Sequence, residues 1–199
     1  MTSDVIVGNV YDKYGTRHPL YRRLVDGYFR SLSQLLPESL PARILEVGCG
    51  EGHVAGWLSQ RASADSLVAV DLSPGMLAQA QAQHVSVEFA CASALDLPFA
   101  DRQFDLVLFL EVLEHLPSPR LALEEARRVC AGLLVASVPR EPIWRLLNVA
   151  RGAYWSNLGN TPGHLQHWSR AAFERMLGRQ FTILQVRSPF PWTMVLCSV

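Results

Sequence analysis

The run Ile44-Leu45-Glu46-Val47-Gly48-Cys49-Gly50-Glu51-Gly52 constrains this chain more than any other stretch. Ile44, Leu45 and Val47 make the short apolar run of a fully buried parallel strand. Glycines at positions 48, 50 and 52 stop it, and glycine serves where backbone needs positive φ or must approach a ligand closely. Val54, Trp57 and Leu58 then resume at helical spacing. The segment predicts strand, glycine turn and helix, which aims backbone N–H groups and a helix N-terminus at the crevice beyond the strand. Spacing narrows the ligand. A dinucleotide site wants G-x-G-x-x-G, whereas these glycines fall as G-x-G-x-G with Glu46 two residues ahead. A carboxylate there would repel a pyrophosphate and suits a cation.

The rest of the chain predicts more strands that end in polar residues. Ser66-Leu67-Val68-Ala69-Val70-Asp71 reads as a second strand, with Asp71 placed 21 residues after Gly50. A carboxylate there can accept both hydroxyl protons of an adenosine ribose, in NAD proteins as well as others. Ser73 caps the next helix and Pro74 opens its first turn. Val85 to Cys91 is a third strand and Phe104 to Leu110 a fourth, which runs into Glu111-Val112-Leu113-Glu114-His115-Leu116-Pro117. Ser118 and Pro119 begin a helix through Val129, and Leu133 to Pro139 is a fifth strand. Phe181 to Arg187 and Thr193 to Val199, parted by Ser188-Pro189-Phe190-Pro191, predict a closing antiparallel pair. Before the first strand, Leu20, Leu24, Tyr28, Leu32, Leu35 and Leu36 mark an amphipathic helix.

The glycine pattern resembles motif I of the class I S-adenosylmethionine-dependent methyltransferases, most closely the small type 11 methyltransferase domains. Ala92 to Asp101 resembles the family's G-D-A-x-D-L-P-F-x-D, and Val112-Leu113-Glu114-His115-Leu116 its V-L-E-H-L. The resemblance implies an α/β, Rossmann-like fold: a seven-stranded, mostly parallel sheet with helices on both faces and the last strand antiparallel. It implies one domain over 1–199, with 1–42 as an N-terminal helical lid segment. The implied cofactor is S-adenosyl-L-methionine, with S-adenosyl-L-homocysteine as product. Its implied contacts are Glu46, Gly48, Cys49, Gly50, Asp71, Leu72, Ser93, Ala94, Leu95 and Leu110, with Tyr14 from the lid. Ser93 departs from the pattern, because a carboxylate usually reaches the adenine amino group there. A serine is a neutral and shorter partner, which weakens that contact or routes it through water and leaves the backbone of Ala94 and Leu95 to hold the adenine edge.

Methyl transfer from a sulfonium needs donor and acceptor held in line, and a base only when the acceptor must lose a proton. His167 and then His115 are the candidate bases, with a structural role as the alternative for His115. The long aromatic insertion 140–168 follows a core strand and reads as a substrate lid, in which His164, Trp168 and Arg145 are candidate acceptor contacts. His164 and His167 have no third ligand nearby in sequence, so no metal is expected. Arg140, Arg145, Arg151 and Arg170 fit an acceptor bearing a carboxylate or phosphate, or else balance charge across the fold.

Net charge is zero, which gives no argument for nucleic acid or an anionic membrane. Locally, residues 44–125 hold three basic side chains against twelve acidic ones, and the chain from Pro139 onward seven arginines against two glutamates. Four scattered cysteines fit reduced thiols rather than a disulfide frame. No secretory signal and no spanning apolar run is visible. The expectation is a cytoplasmic enzyme, monomer or homodimer, acting on a small molecule without membrane or nucleic acid. An NAD-dependent oxidoreductase and a cofactor-binding partner subunit without chemistry are the competing readings.

Overall fold

The computed structural model describes residues 19–62, 67–84 and 86–199. Tyr14, Ser66 and Val85, to which roles were assigned above, lie outside the described residues. Seven strands form one sheet: β1 (Ile44–Val47), β2 (Leu67–Asp71), β3 (Glu88–Cys91), β4 (Phe104–Leu110), β5 (Cys130–Pro139), β6 (Thr182–Arg187) and β7 (Trp192–Ser198), in the order β3-β2-β1-β4-β5-β7-β6. β1 to β5 pair in parallel, and β7 runs antiparallel to both β5 and β6. This is the Rossmann-like sheet expected, with β4 at its centre. β3 starts at Glu88 because the Val87 N–H closes a turn onto the His84 carbonyl at 3.1 Å. β5 starts earlier than its apolar run, since Cys130 already pairs with Phe104.

The period of two sorts side chains onto two faces. Ile44, Leu106, Leu108, Val135 and Met194 share one buried cluster with Tyr28 and Leu32 of α1 (Pro19–Leu35), Val54 and Leu58 of α2 (His53–Ser59) and Leu77 of α3 (Pro74–Gln83). Leu45, Val47, Val107, Phe109, Leu134 and Val195 meet α4 (Pro119–Val129) and α6 (Arg170–Leu177) on the other face. Each fully buried Leu, Ile or Phe contributes about 1.5–3 kcal/mol against exposure. Ser73 caps α3 by accepting the Met76 N–H, and Ser169 caps α6 by accepting that of Ala172. Ser118 makes no side-chain cap on α4, a correction to the expectation; its φ of −133° and ψ of 70° accompany the missing bond. α5 (Ile143–Ala150) opens the insertion. Cys49, Cys130 and Cys197 are buried free thiols, and Cys91 is exposed. Among the described residues no helix is long and apolar enough to cross a membrane.

Candidate active site

The turn after β1 is left-handed at Gly48, Gly50 and Gly52, with φ of 74°, 53° and 80°. A Cβ on Gly48 would lie 2.4 Å from Val112 Cγ2, so the turn packs directly against the exit of β4. The N–H groups of Gly48 and Cys49 both bond the Val70 carbonyl, at 2.7 and 3.0 Å. The Gly50 N–H instead reaches Asp71 Oδ2 at 2.8 Å, and Ser73 N–H reaches Oδ1 at 2.8 Å. Asp71 is thereby held rigidly, and each oxygen keeps lone-pair capacity for a ligand hydroxyl.

Glu46 shares the face of α2, where it accepts the Ala55 N–H. It is 3% exposed, and its Oε2 has no hydrogen-bond partner among the described residues. Burial, followed by the charge of Asp71, pushes its carboxyl up to about 8. Burial, then Glu46 and Asp71, also push the Cys49 thiol up, which makes it an apolar wall rather than a nucleophile. A buried carboxylate with an orphaned oxygen, beside a second carboxylate, is the site a cationic ligand completes.

In the loop after β3, Ser93 Oγ accepts the Leu95 N–H at 3.2 Å. That N–H is therefore spent locally, while the Leu95 carbonyl and the Ala94 backbone take no part in the bond; Ser93 keeps its hydroxyl proton to donate. Leu72 is 53% exposed at the rim. Arg128 fixes this loop to α4 through Glu125, Asp101 and the carbonyls of Leu97 and Phe99.

At the exit of β4, the buried Leu110 ends the strand and Glu111 follows with φ 60°. A non-glycine residue in that conformation costs about 1–2 kcal/mol, and such strain concentrates at functional sites. Its Oε2 accepts Trp192 Nε1–H at 2.6 Å, and its Oε1 accepts the Ser137 hydroxyl at 3.3 Å. Ser137 has only one proton, so the Tyr28 hydroxyl donates to Ser137 at 2.7 Å. Sequence reasoning missed this carboxylate's role. Its place at the end of the central strand was the one available signal.

His115 Nδ1 lies 3.0 Å from the Gly163 carbonyl, and its ring meets that of His164 edge-on at 4.9 Å. His164 is buried, stacked on Trp144, whose Nε1 bonds Thr161. His167 is exposed on Asn160 Oδ1 at 2.7 Å. The structure thus brings His115 to His164 and not to His167. Trp168 packs on Phe173 and bridges to Arg140. Arg145 Nε bonds the Leu158 carbonyl, Arg151 the Tyr21 hydroxyl and Arg170 the Glu174 carboxylate. Those three guanidinium groups are engaged in stitching the fold.

Residues 45–132 match the family described as a methyltransferase domain. The chain is 32% identical over 145 residues to the demethylmenaquinone methyltransferase of Thermus thermophilus, covering 67% of this chain and 66% of that one. It is 37% identical over 125 residues to the malonyl-[acyl-carrier protein] O-methyltransferase of Geobacter sulfurreducens, covering 61% and 45%. The chain therefore spans about half to two thirds of these relatives' lengths. Its fold resembles the magnesium protoporphyrin IX methyltransferase of Synechocystis PCC 6803, solved with SAH, at TM-score 0.66 and 17% identity over 92% of this chain and 89% of that one.

Proposed function

Because the chain belongs to the S-adenosylmethionine-dependent methyltransferases of the type 11 domain family, we propose that it methylates a small-molecule acceptor by in-line displacement. The observation that carries this reading is Glu46, a buried carboxylate with an unsatisfied oxygen at the glycine turn, next to an Asp71 that the Gly50 N–H holds in place. When bound, S-adenosylmethionine supplies a methyl group on a positively charged sulfur with a neutral leaving group.

Glu46 would pair with the ammonium of the amino-acid end and Asp71 would accept from the ribose hydroxyls. Gly48 and Gly50 leave room for close approach, Cys49, Leu72 and Leu110 wall the pocket, and Ser93 with Ala94 meets the adenine. The 140–168 insertion covers the acceptor, with Arg145, His164 and Trp168 as its contacts. An acceptor with a proton to lose passes it to an imidazole. Asn160 Oδ1 beside His167 Nε2 places the His167 proton on Nε2 and the lone pair on Nδ1, and the Gly163 carbonyl puts the lone pair of His115 on Nε2. Relatives named for a quinone and for a malonyl group on a carrier protein favour an enzyme of metabolism; a cytoplasmic monomer or homodimer acting on a small molecule is part of the same proposal.

Calorimetry with S-adenosylhomocysteine and with NAD tests the cofactor. The thioether should bind and NAD should not, and Asp71→Ala should weaken binding by about 10-fold or more, the loss of hydrogen bonds to a charged group worth about 1.5–3 kcal/mol. Tight NAD binding with none of the thioether would overturn the reading. Labelled methyl transfer in a metabolite extract separates an enzyme from a partner subunit that binds cofactor without chemistry.

A further inference from the structure

We propose that Glu114, His115 and His164 form a divalent-metal site of the zinc class, which pins the 140–168 insertion to the turn after β4. One ligand atom from each residue lies within 4.8 Å of the others. The three come from two distant segments, the 3-10 turn Leu113–His115 and the loop before α6. Backbone bonds lock those segments together. The N–H groups of Leu165 and Gln166 both donate to the Glu114 carbonyl, at 2.8 and 3.0 Å, and Gln166 Nε2 donates to the Leu116 carbonyl at 3.3 Å.

The tautomer of His115 follows from its partner. A carbonyl only accepts, so Nδ1 carries the proton toward Gly163 and Nε2 keeps the lone pair. An imidazole whose other nitrogen donates to a backbone carbonyl is oriented as metal-binding histidines are. Burial separates this group from the solvated acidic clusters common on surfaces: Glu114 is 1% and His164 5% exposed. A divalent cation would be shared by this carboxylate and the two imidazoles, and a direct carboxylate–imidazolium pair is the competing arrangement.

Two imidazoles and one carboxylate are the donors of three-ligand zinc sites, which keep a fourth position for water or a substrate oxygen. Calcium and magnesium prefer oxygen ligands throughout. Zinc bonds of about 2.0–2.2 Å in a tetrahedron hold ligand atoms roughly 3.3–3.5 Å apart, so binding draws the three side chains together by rotation about their own bonds. His115 then serves as a ligand, and any proton taken from the acceptor falls to His167.

The test is a titration of the full-length, chelator-treated chain, purified without a histidine tag, with Co²⁺ and then Zn²⁺. One equivalent of Co²⁺ should give visible d–d absorption that Zn²⁺ abolishes, and Zn²⁺ should raise the melting temperature. His164→Gln and Glu114→Gln should lose the absorption, while His53→Gln, outside the cluster, should keep it; circular dichroism reports whether each variant is folded. The unsubstituted chain decides the matter even if the buried variants unfold. If it binds S-adenosylhomocysteine yet shows neither absorption nor a melting shift, the metal site is overturned and the carboxylate–imidazolium pair stands. Failure to bind the thioether, with metal bound, would instead count against methyl transfer alone.

Discussion

At Glu46 the carboxyl is pushed to about 8, so near neutral pH the side chain holds a proton when no cation lies beside it. The unfolded chain releases that proton near pH 4.3. Between those values the folded chain binds more protons, so the stability due to Glu46 is fully present below the unfolded value and is lost as pH rises through about 8. A ligand ammonium placed beside it favours the carboxylate and expels the proton. S-adenosylhomocysteine affinity should therefore climb with pH up to about 8 and then level, and Glu46→Gln should flatten both trends. Calorimetry and thermal melts across pH check this, and a pH-independent affinity in the unsubstituted chain would remove the proposed role. Gly48→Ala combines a φ of +74° with a methyl 2.4 Å from Val112. It should destabilise by about 2–4 kcal/mol, the left-handed penalty plus overpacking. Gly27→Ala in α1 meets nothing within 4 Å, and by helix propensity it should stabilise by up to about 1 kcal/mol. Denaturant melts of the two variants make the comparison.

Among the elements, the insertion depends on a buried polar stitch. Asn148, on α5 and 3% exposed, donates through Nδ2 to the Gly159 carbonyl at 2.7 Å and to Thr161 Oγ1 at 3.1 Å. Asn148→Ala leaves those acceptors buried without that donor, which should cost about 1–3 kcal/mol and speed proteolytic cutting between 151 and 160. Unchanged digestion would show that α5 holds the loop by other contacts. Much of the element pattern was legible locally. Pro74 and Pro119 at helix starts, Ser73 as a cap, and the apolar runs of β1 and β4 follow short-range steric rules. The start of β5 was not legible, because its first residues gain strand form from pairing with Phe104, which the local pattern does not contain.

Across the whole molecule, Tyr28, Ser137, Glu111 and Trp192 join the helix before the first strand to the start of the last one. The Tyr28–Ser137 bond spans 109 residues and the Trp192–Glu111 bond 81. Tyr28→Phe should lower stability by about 1 kcal/mol, the net worth of one hydrogen bond. A double-mutant cycle with Ser137→Ala should show non-additivity of about 0.5 kcal/mol or more, measured by denaturant unfolding. Strict additivity would mean that the two groups meet without energetic coupling.

The sequence alone determined the proposed donor half of this protein. Three glycines that must turn left-handed, a carboxylate before them and another at the end of the next strand are local features, dictated by backbone sterics and by strand period. Tertiary structure decided the proposed acceptor half. It chose His164 rather than His167 to face His115, spent the Leu95 N–H on Ser93, engaged Arg145 and Arg151 within the fold, and forced Glu111 into a left-handed turn. Most of those outcomes depend on how α1, the insertion and β7 pack at the carboxyl end of the sheet. Residues dozens of positions apart meet there, and no short-range rule of spacing reaches that far.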